Sequence, residues 1–229
     1  MKISVIIPAL NEADGIARTL EGLQAWRARG HEVILCDGGS QDGTQAAAEG
    51  LVDTITACPR GRALQMNAGA GLAKGRVLLF LHADTALPAS GDASLRQALE
   101  ESGRDWGRFD IRLSGSGVLY RLIEGLMNLR SRLTHICTGD QAIFITRSTF
   151  LQIGGFSNIP LMEDIEISKR LKAVGPPVCL KERALTSSRR WEDHGPLRTI
   201  LTMWALRLAY FLGCRPDRLE RIYSRPVRQ

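Results

Sequence analysis

Residues 76–84 read Arg76-Val77-Leu78-Leu79-Phe80-Leu81-His82-Ala83-Asp84, a short apolar run followed by two polar side chains. A continuous apolar run of this length predicts a strand buried on both faces, near the centre of a sheet. Since side chains alternate along a strand, His82 and Asp84 are expected to share one face at its carboxyl end. Both are metal-ligand types. The alternative to a metal site is structural, with His82 ending the strand and Asp84 acting as a cap.

Similar strands and helices alternate through the first half of the chain. Strands are predicted at 3–7, 32–36, 52–55 and 76–81, helices at 11–29 and 42–48, and a loop followed by a helix within 61–74. This alternation predicts a parallel sheet with right-handed crossovers. Ligands bind outside the carboxyl ends of such strands, which selects residues 8–12, 37–40 and 82–84.

The second half is less regular. We expect a short strand near 109–113, a strand at 142–145 and a helix at 162–174. An apolar stripe at helical spacing follows, formed by Leu197, Ile200, Leu201, Trp204, Leu208, Phe211 and Leu212. It is too short, and interrupted by Arg207, for a membrane span. Core packing or a dimer contact is the preferred interpretation, and docking on a membrane surface is the alternative.

Length and composition limit the class of protein. The chain has 229 residues, enough for one large α/β domain, and a net charge of +6 that favours anionic partners without choosing among them. The five cysteines have no metal or redox spacing, which predicts free thiols in a reducing compartment. The apolar first ten residues are too short for a signal peptide, so we expect a cytoplasmic protein.

Two segments suit nucleotide and phosphate contacts. Asp37, followed by two glycines after a strand, can accept from a base N–H or a ribose hydroxyl, although aspartates also form turns. Arg60-Gly61-Arg62 before a predicted helix can hold phosphate, or it is a solvated loop. The chain has neither Walker-loop spacing nor a Gly-x-Gly-x-x-Gly sequence after its first strand.

Two later segments carry candidate catalytic groups. Glu163-Asp164 begins a helix, where the dipole favours acids, yet a carboxylate fixed there can also deprotonate an acceptor hydroxyl. The segment from Ser187 to His194 combines two arginines, Trp191 and a metal-ligand type, with a surface loop as the alternative.

Together these motifs resemble the family 2 glycosyltransferases of the GT-A fold. The matching segments are Val5-Ile6-Ile7-Pro8-Ala9-Leu10-Asn11-Glu12, Asp37-Gly38-Gly39-Ser40-Gln41-Asp42-Gly43-Thr44, His82-Ala83-Asp84, Gly154-Gly155-Phe156 with Glu163-Asp164, and Arg190-Trp191. The resemblance implies a Rossmann-like α/β domain with a mostly parallel central sheet flanked by helices and an acceptor-side α+β extension. It implies one domain, with a nucleotide-sugar half at 1–84, an acceptor half at 85–195, and a C-terminal helix and basic tail at 196–229.

The resemblance also implies an inverting transfer from a UDP- or GDP-type sugar, assisted by Mn or Mg. Asp84 would bind the metal with His194 as a further ligand, and Asp164 would be the general base beside Glu163. The implied donor contacts are Pro8, Ala9, Asn11, Glu12, Asp37, Gly38, Arg62, Asn67, His82 and Ala83. The implied acceptor side comprises Asp140, Arg190 and Trp191. The acceptor is unknown, and a lipid-linked one is an open alternative.

Departures from the family pattern leave alternatives open. His82 replaces the first acid of Asp-x-Asp, and Ser187 replaces the glutamine of Gln-x-x-Arg-Trp, which argues against a processive synthase. A nucleotidyltransferase is the nearest enzyme alternative. A basic membrane-surface or nucleic-acid module is the non-enzymatic one, given the arginines from Arg215 onward, but no recognition-helix motif supports nucleic acid.

Overall fold

The computed structural model describes residues 1–223, apart from the side chains of Arg190 and His194. The strands are β1 (Ile3–Ala9), β2 (Glu32–Asp37), β3 (Thr54–Ala57), β4 (Val77–Phe80), β5 (Thr85–Ala86), β6 (Trp106–Leu113), β7 (Phe144–Thr146) and β8 (Val178–Thr186). The helices are α1 (Ala13–Gly22), α2 (Gln24–Ala28), α3 (Thr44–Ala48), α4 (Arg62–Leu72), α5 (Gly91–Ser102), α6 (Val118–Thr134), α7 (Arg147–Gln152), α8 (Glu163–Val174), α9 (Arg189–His194), α10 (Pro196–Phe211) and α11 (Pro216–Tyr223).

The described strands form one sheet in the order β3-β2-β1-β4-β7-β6-β8-β5. β1 to β4 are mutually parallel, and β4 lies inside the sheet, as the sequence predicts. The second half is mixed, because β7 runs antiparallel to β4 and β6, and β5 runs antiparallel to β8. The α/β fold class is therefore confirmed.

The sheet is covered on both faces, which is why its central strands are uniformly apolar. Alternate side chains of β1 enter different core clusters, with Val5 and Ile7 on one face and Ile6 on the other. Leu79 and Phe80 divide in the same way on β4. Burial on both faces removes the polar alternation that marks a solvent-exposed strand.

Several sequence expectations were wrong in detail. The helix expected at 11–29 is divided at Leu23 into α1 and α2, and Asn11 lies before it with a φ of 55°. The α10 stripe does not pack in the core of this chain, since Leu201 and Trp204 remain 67% and 66% exposed. Within residues 1–223, no helix is long and apolar enough to cross a membrane.

Candidate functional site

The loops that follow β1 and β2 are held together at the carboxyl edge of the sheet. The Asn11 N–H donates to Ser40 Oγ (2.8 Å), and the Asn11 side-chain oxygen accepts the Gln41 N–H (2.9 Å). The Glu12 N–H donates to Thr44 Oγ1 (2.8 Å). Asn11 and Glu12 keep part of their surface exposed, so this pair of loops forms one rigid platform beside the open edge.

Asp37 is fully buried beneath this platform. Its carboxylate accepts the backbone N–H groups of Gly39 and Ser40 and the side-chain amide of Gln45 (2.6 Å). Burial alone would raise its pKa, but the hydrogen bonds from Ser40 and Gln45 outweigh burial and lower it. Asp37 thus organises its own loop, and its contact with a base stays a prediction.

Gln65, which the sequence did not single out, ties α4 to the same edge. Its amide donates to the carbonyl oxygens of Ala9 (2.7 Å) and Cys36 (2.8 Å). A Cβ on Gly38 would lie about 3.0 Å from that amide, so a larger residue there would press on the Gln65 side chain. Pro8, Ala9 and Gly38 are buried, and in this conformation they support the platform rather than face solvent.

His82 and Asp84 do not share a strand face, which corrects the sequence expectation. β4 ends at Phe80, and residues 82–85 form a turn closed by the Thr85 N–H donating to the His82 carbonyl (3.1 Å). His82 Nδ1 lies 3.2 Å from Asp140 Oδ1, whereas Asp84 lies 3.9 Å from the Arg189 guanidinium. Ala83 is buried between them.

An acidic pair at the start of α8 faces His82 across a small cleft. Asp164 Oδ2 accepts the Gly139 N–H (3.1 Å), and Glu163 Oε1 lies 3.0 Å from Arg62 Nη1. The cleft is lined by Met66, Phe80, His82, Gly139, Ile143, Phe156, Glu163 and Asp164. The structure thus brings Arg62, His82, Asp140, Glu163 and Asp164 together.

Asn67 has a structural position rather than one in the cleft. Its side-chain amide donates to the Phe156 carbonyl (2.8 Å) and its oxygen accepts the Phe156 N–H (2.9 Å). Both ends of the amide are occupied by the turn that follows Gly154-Gly155. The expected contact of Asn67 with the donor is therefore not available in this conformation.

Burial and charge oppose each other at the cleft. Burial raises the pKa of Glu163 despite the nearby Arg62 cation. Burial also acts to raise the pKa of Asp140, but the hydrogen bond from His82 and the positive charges of Arg62 and Arg207 lower it. The hydrogen bond from His82, together with these cations, therefore favours the charged form of Asp140.

Two arginines that the sequence did not predict also act on the cleft. Burial and the Arg207 charge lower the pKa of Arg130 to about 10. Burial also lowers the pKa of Arg207, although the negative charges of Asp164 and Asp140 act to raise it. The signal in the sequence was weak, because both arginines sit on helices whose other residues are largely apolar.

Glu12 and Asp84 are the two carboxylates that would hold a divalent metal. Glu12 Oε2 and Asp84 Oδ2 lie 3.4 and 3.9 Å from the same nitrogen, Arg189 Nη2, which brings the two acids to one place. Burial and the Asp84 charge raise the pKa of Glu12. Magnesium is commonly held by one or two carboxylates plus substrate phosphates, and these residues fit that need. Within the described side chains, no three histidines, cysteines or acids group as metal ligands. The predicted roles of His194 and Arg190 fall on side chains outside the described ones, while Trp191 is half-buried on α9.

Comparison with solved structures shows the same fold in glycosyltransferases. A crystal structure of Staphylococcus aureus TarS 1–349 with UDP aligns with a TM-score of 0.67 and 18% identity over 82% of this chain. The mannosyltransferase PcManGT from Pyrobaculum calidifontis, with GDP-Man and Mn2+, aligns with a TM-score of 0.61 and 19% identity over 80%. This chain spans only 60% and 56% of those two chains.

Sequence comparison is more specific. An uncharacterised glycosyltransferase of Mycobacterium tuberculosis is 32% identical over 192 residues, which cover 78% of this chain and 72% of the relative. The family model for glycosyl transferase family 2 matches residues 4–153. The chain therefore belongs to glycosyltransferase family 2 and is a transferase of the GT-A type.

Proposed function

We propose that this glycosyltransferase moves a sugar from a UDP- or GDP-type donor to an acceptor hydroxyl with inversion, using Asp164 as general base. The structural neighbours with UDP, UDP-GlcNAc and GDP-Man support the donor class. The nucleotide would lie against the platform of Asn11 and Glu12, at the edge where parallel sheets bind ligands.

The observation that carries the proposal is the position of Asp164. Its carboxylate is held by the Gly139 N–H and by the Ile165 N–H of its own helix (2.7 Å), at the wall of the cleft opposite His82. A fixed carboxylate beside a cleft is placed to accept the proton of an attacking hydroxyl. Glu163 is 2% exposed and paired with Arg62, so it is less suited to that task.

The leaving diphosphate needs positive charge as the glycosidic bond breaks. Arg62 can supply it, because 43% of its side chain is accessible. When bound, Mn or Mg would neutralise the same diphosphate, held by Asp84 and Glu12. Asp140, Arg190 and Trp191 remain the proposed acceptor side.

The test has two parts. A thermal-shift panel of UDP-, GDP- and TDP-sugars, with and without Mn, identifies the donor. Asp164→Asn should keep the donor-induced shift and lose release of nucleoside diphosphate, whereas Asp217→Asn, an exposed acid in the first turn of α11, should keep both. Normal turnover in Asp164→Asn would disprove the base. Release of pyrophosphate from a nucleoside triphosphate and a sugar phosphate would instead indicate a nucleotidyltransferase.

A further inference from the structure

Helix α6 has an inverted arrangement, with polar side chains inside and leucines outside. Asn128 pairs with the backbone of Ile111 through both ends of its amide (2.9 and 3.1 Å), and Glu124 accepts the Leu113 N–H (2.5 Å). These bonds satisfy backbone groups of β6. The outward side chains are more than 40% exposed and comprise Val118, Leu119, Leu122, Leu126, Leu129 and Leu133.

Helix α10 presents a second apolar face. Leu206, on its inner side, is 3% exposed and packs in a small core with Leu161 and Ile165. The opposite side is more than half exposed at Leu197, Leu201, Trp204, Leu208 and Phe211, with Leu212 just beyond. Monomeric proteins rarely expose a contiguous apolar patch larger than roughly a few hundred Å², and larger patches mark binding sites.

The two helices approach each other at one end of the molecule. Ile136, just past the end of α6, shares a core cluster with Leu206 of α10. The charges of Arg130 on α6 and Arg207 on α10 also act on each other. Leu206 packs against Ile165, the residue after Asp164, so the inner side of α10 lies beside the start of α8 while its outer side carries the apolar stripe.

Charge decides which partner suits these faces. Arg121 and Arg132 of α6 are paired with Glu124 and Asp110, so they add little free charge. The exposed cations that follow α10 are Arg215, Arg218 and Arg221. Exposed Arg198 adjoins the α10 stripe. Interfacial helices combine Leu, Trp and Phe on one face with cations on the other, and anionic lipid attracts such cations. A second copy of the chain would bring like charges together.

We propose that the outward faces of α6 and α10 dock this protein on an anionic lipid bilayer, with the helices lying in the interface rather than crossing it. The inference does not depend on the identity of the donor or of the base. It places the cleft within about one helix diameter, roughly 10 Å, of the lipid surface.

Flotation of the full chain with vesicles tests the proposal. Binding is expected with phosphatidylglycerol-containing vesicles at low salt, and little with phosphatidylcholine alone. Combined Leu201→Gln and Leu208→Gln, or combined Leu122→Gln and Leu126→Gln, should weaken binding on the order of tenfold or more. The matched control is Leu151→Gln on α7, a leucine that is 66% exposed outside these faces and should change nothing.

The fluorescence of Trp204 gives an independent measure of vesicle binding in the unaltered protein. Its emission should shift to shorter wavelength when anionic vesicles are added, and Trp204→Phe should lose that shift while still binding. Trp26 and Trp106 are buried at 0% and 1% exposure and should not respond. Half-buried Trp191 is present in both proteins, so the difference between them isolates the Trp204 signal. Absence of binding at low salt overturns the proposal. So does light scattering that shows a dimer dissociated by the same leucine substitutions.

Discussion

Arg62 Nη1 lies 3.0 Å from Glu163 Oε1 and joins the first turn of α4 to the first turn of α8. The Glu163 side chain is 3% exposed and that of Arg62 is 43% exposed, so the pair is only partly screened. Removing the cation leaves a buried carboxylate without its partner. That loss is more costly than breaking a pair at the surface.

We expect Arg62→Met to lower the free energy of unfolding by about 1–2 kcal/mol at neutral pH, measured in urea. Burial already raises the pKa of Glu163 above 4.5, and loss of Arg62 raises it further. A raised pKa makes stability fall as pH rises, so the deficit should shrink towards pH 4.5. The double variant with Glu163→Gln should recover most of the loss, and additive losses would contradict the pairing.

Gly139→Ala should destabilise the cleft. The Cβ of an alanine at this position would collide with the imidazole of His82. Overpacking of this kind costs about 1–3 kcal/mol, which thermal unfolding would detect as a lower Tm. Adding His82→Ala to Gly139→Ala should return part of the stability, since it removes the colliding ring. A single variant with an unchanged Tm would show that the ring is free to move away.

The sequence predicted the elements whose burial leaves a direct pattern. β1, β2 and β4 are continuous apolar runs because helices cover both of their faces. The helices α6 and α10 differ, because their leucines face outward. α6 escaped prediction, since its buried face holds Glu124 and Asn128, residue types normally found outside. β8 escaped as well, because Lys181, Glu182 and Arg183 interrupt its apolar run.

The site was predictable only where a motif coincides with the end of an element. Asp164 and Arg62 fall at helix starts that the sequence marks, and the fold brings both to the cleft. The shared face of His82 and Asp84 was wrong because β4 ends two residues before His82. Gln65 was missed, since its bonds to Ala9 and Cys36 span 56 and 29 residues and have no local signature.

Gly69 and Gly71 of α4 provide a matched pair for core packing. A Cβ at Gly69 would lie 2.5 Å from Ile6 Cγ2 and 2.6 Å from Cys36 Sγ, whereas one at Gly71 would meet nothing within 4 Å. We expect Gly69→Ala to lower the free energy of unfolding by about 1–3 kcal/mol. Gly71→Ala should raise it by up to about 1 kcal/mol through helix propensity. Equal effects in chemical denaturation would refute close packing of α4 on β1 and β2.

The surroundings of His31 lead us to expect that the protein loses stability in mild acid. Its Nδ1 accepts the Ile3 N–H (3.2 Å), so this nitrogen must be unprotonated, while Nε2 lies 3.1 Å from Asp92 Oδ2. The pair is therefore a hydrogen bond from a neutral imidazole and not an ion pair. Burial lowers the pKa of His31 below 6.5, although Asp92 opposes that effect.

Because the unfolded chain takes up this proton near pH 6.5 and the folded chain resists it, stability should fall as pH drops below 6.5. The loss due to His31 is complete once pH passes below its folded pKa. Asp92, whose pKa is lowered from 3.8, contributes only in a more acidic window. His31→Gln can keep both hydrogen bonds without titrating. The urea midpoint of this variant should therefore change less between neutral pH and roughly pH 5 than that of the unaltered protein. Parallel pH profiles for the two proteins would exclude His31 as the cause.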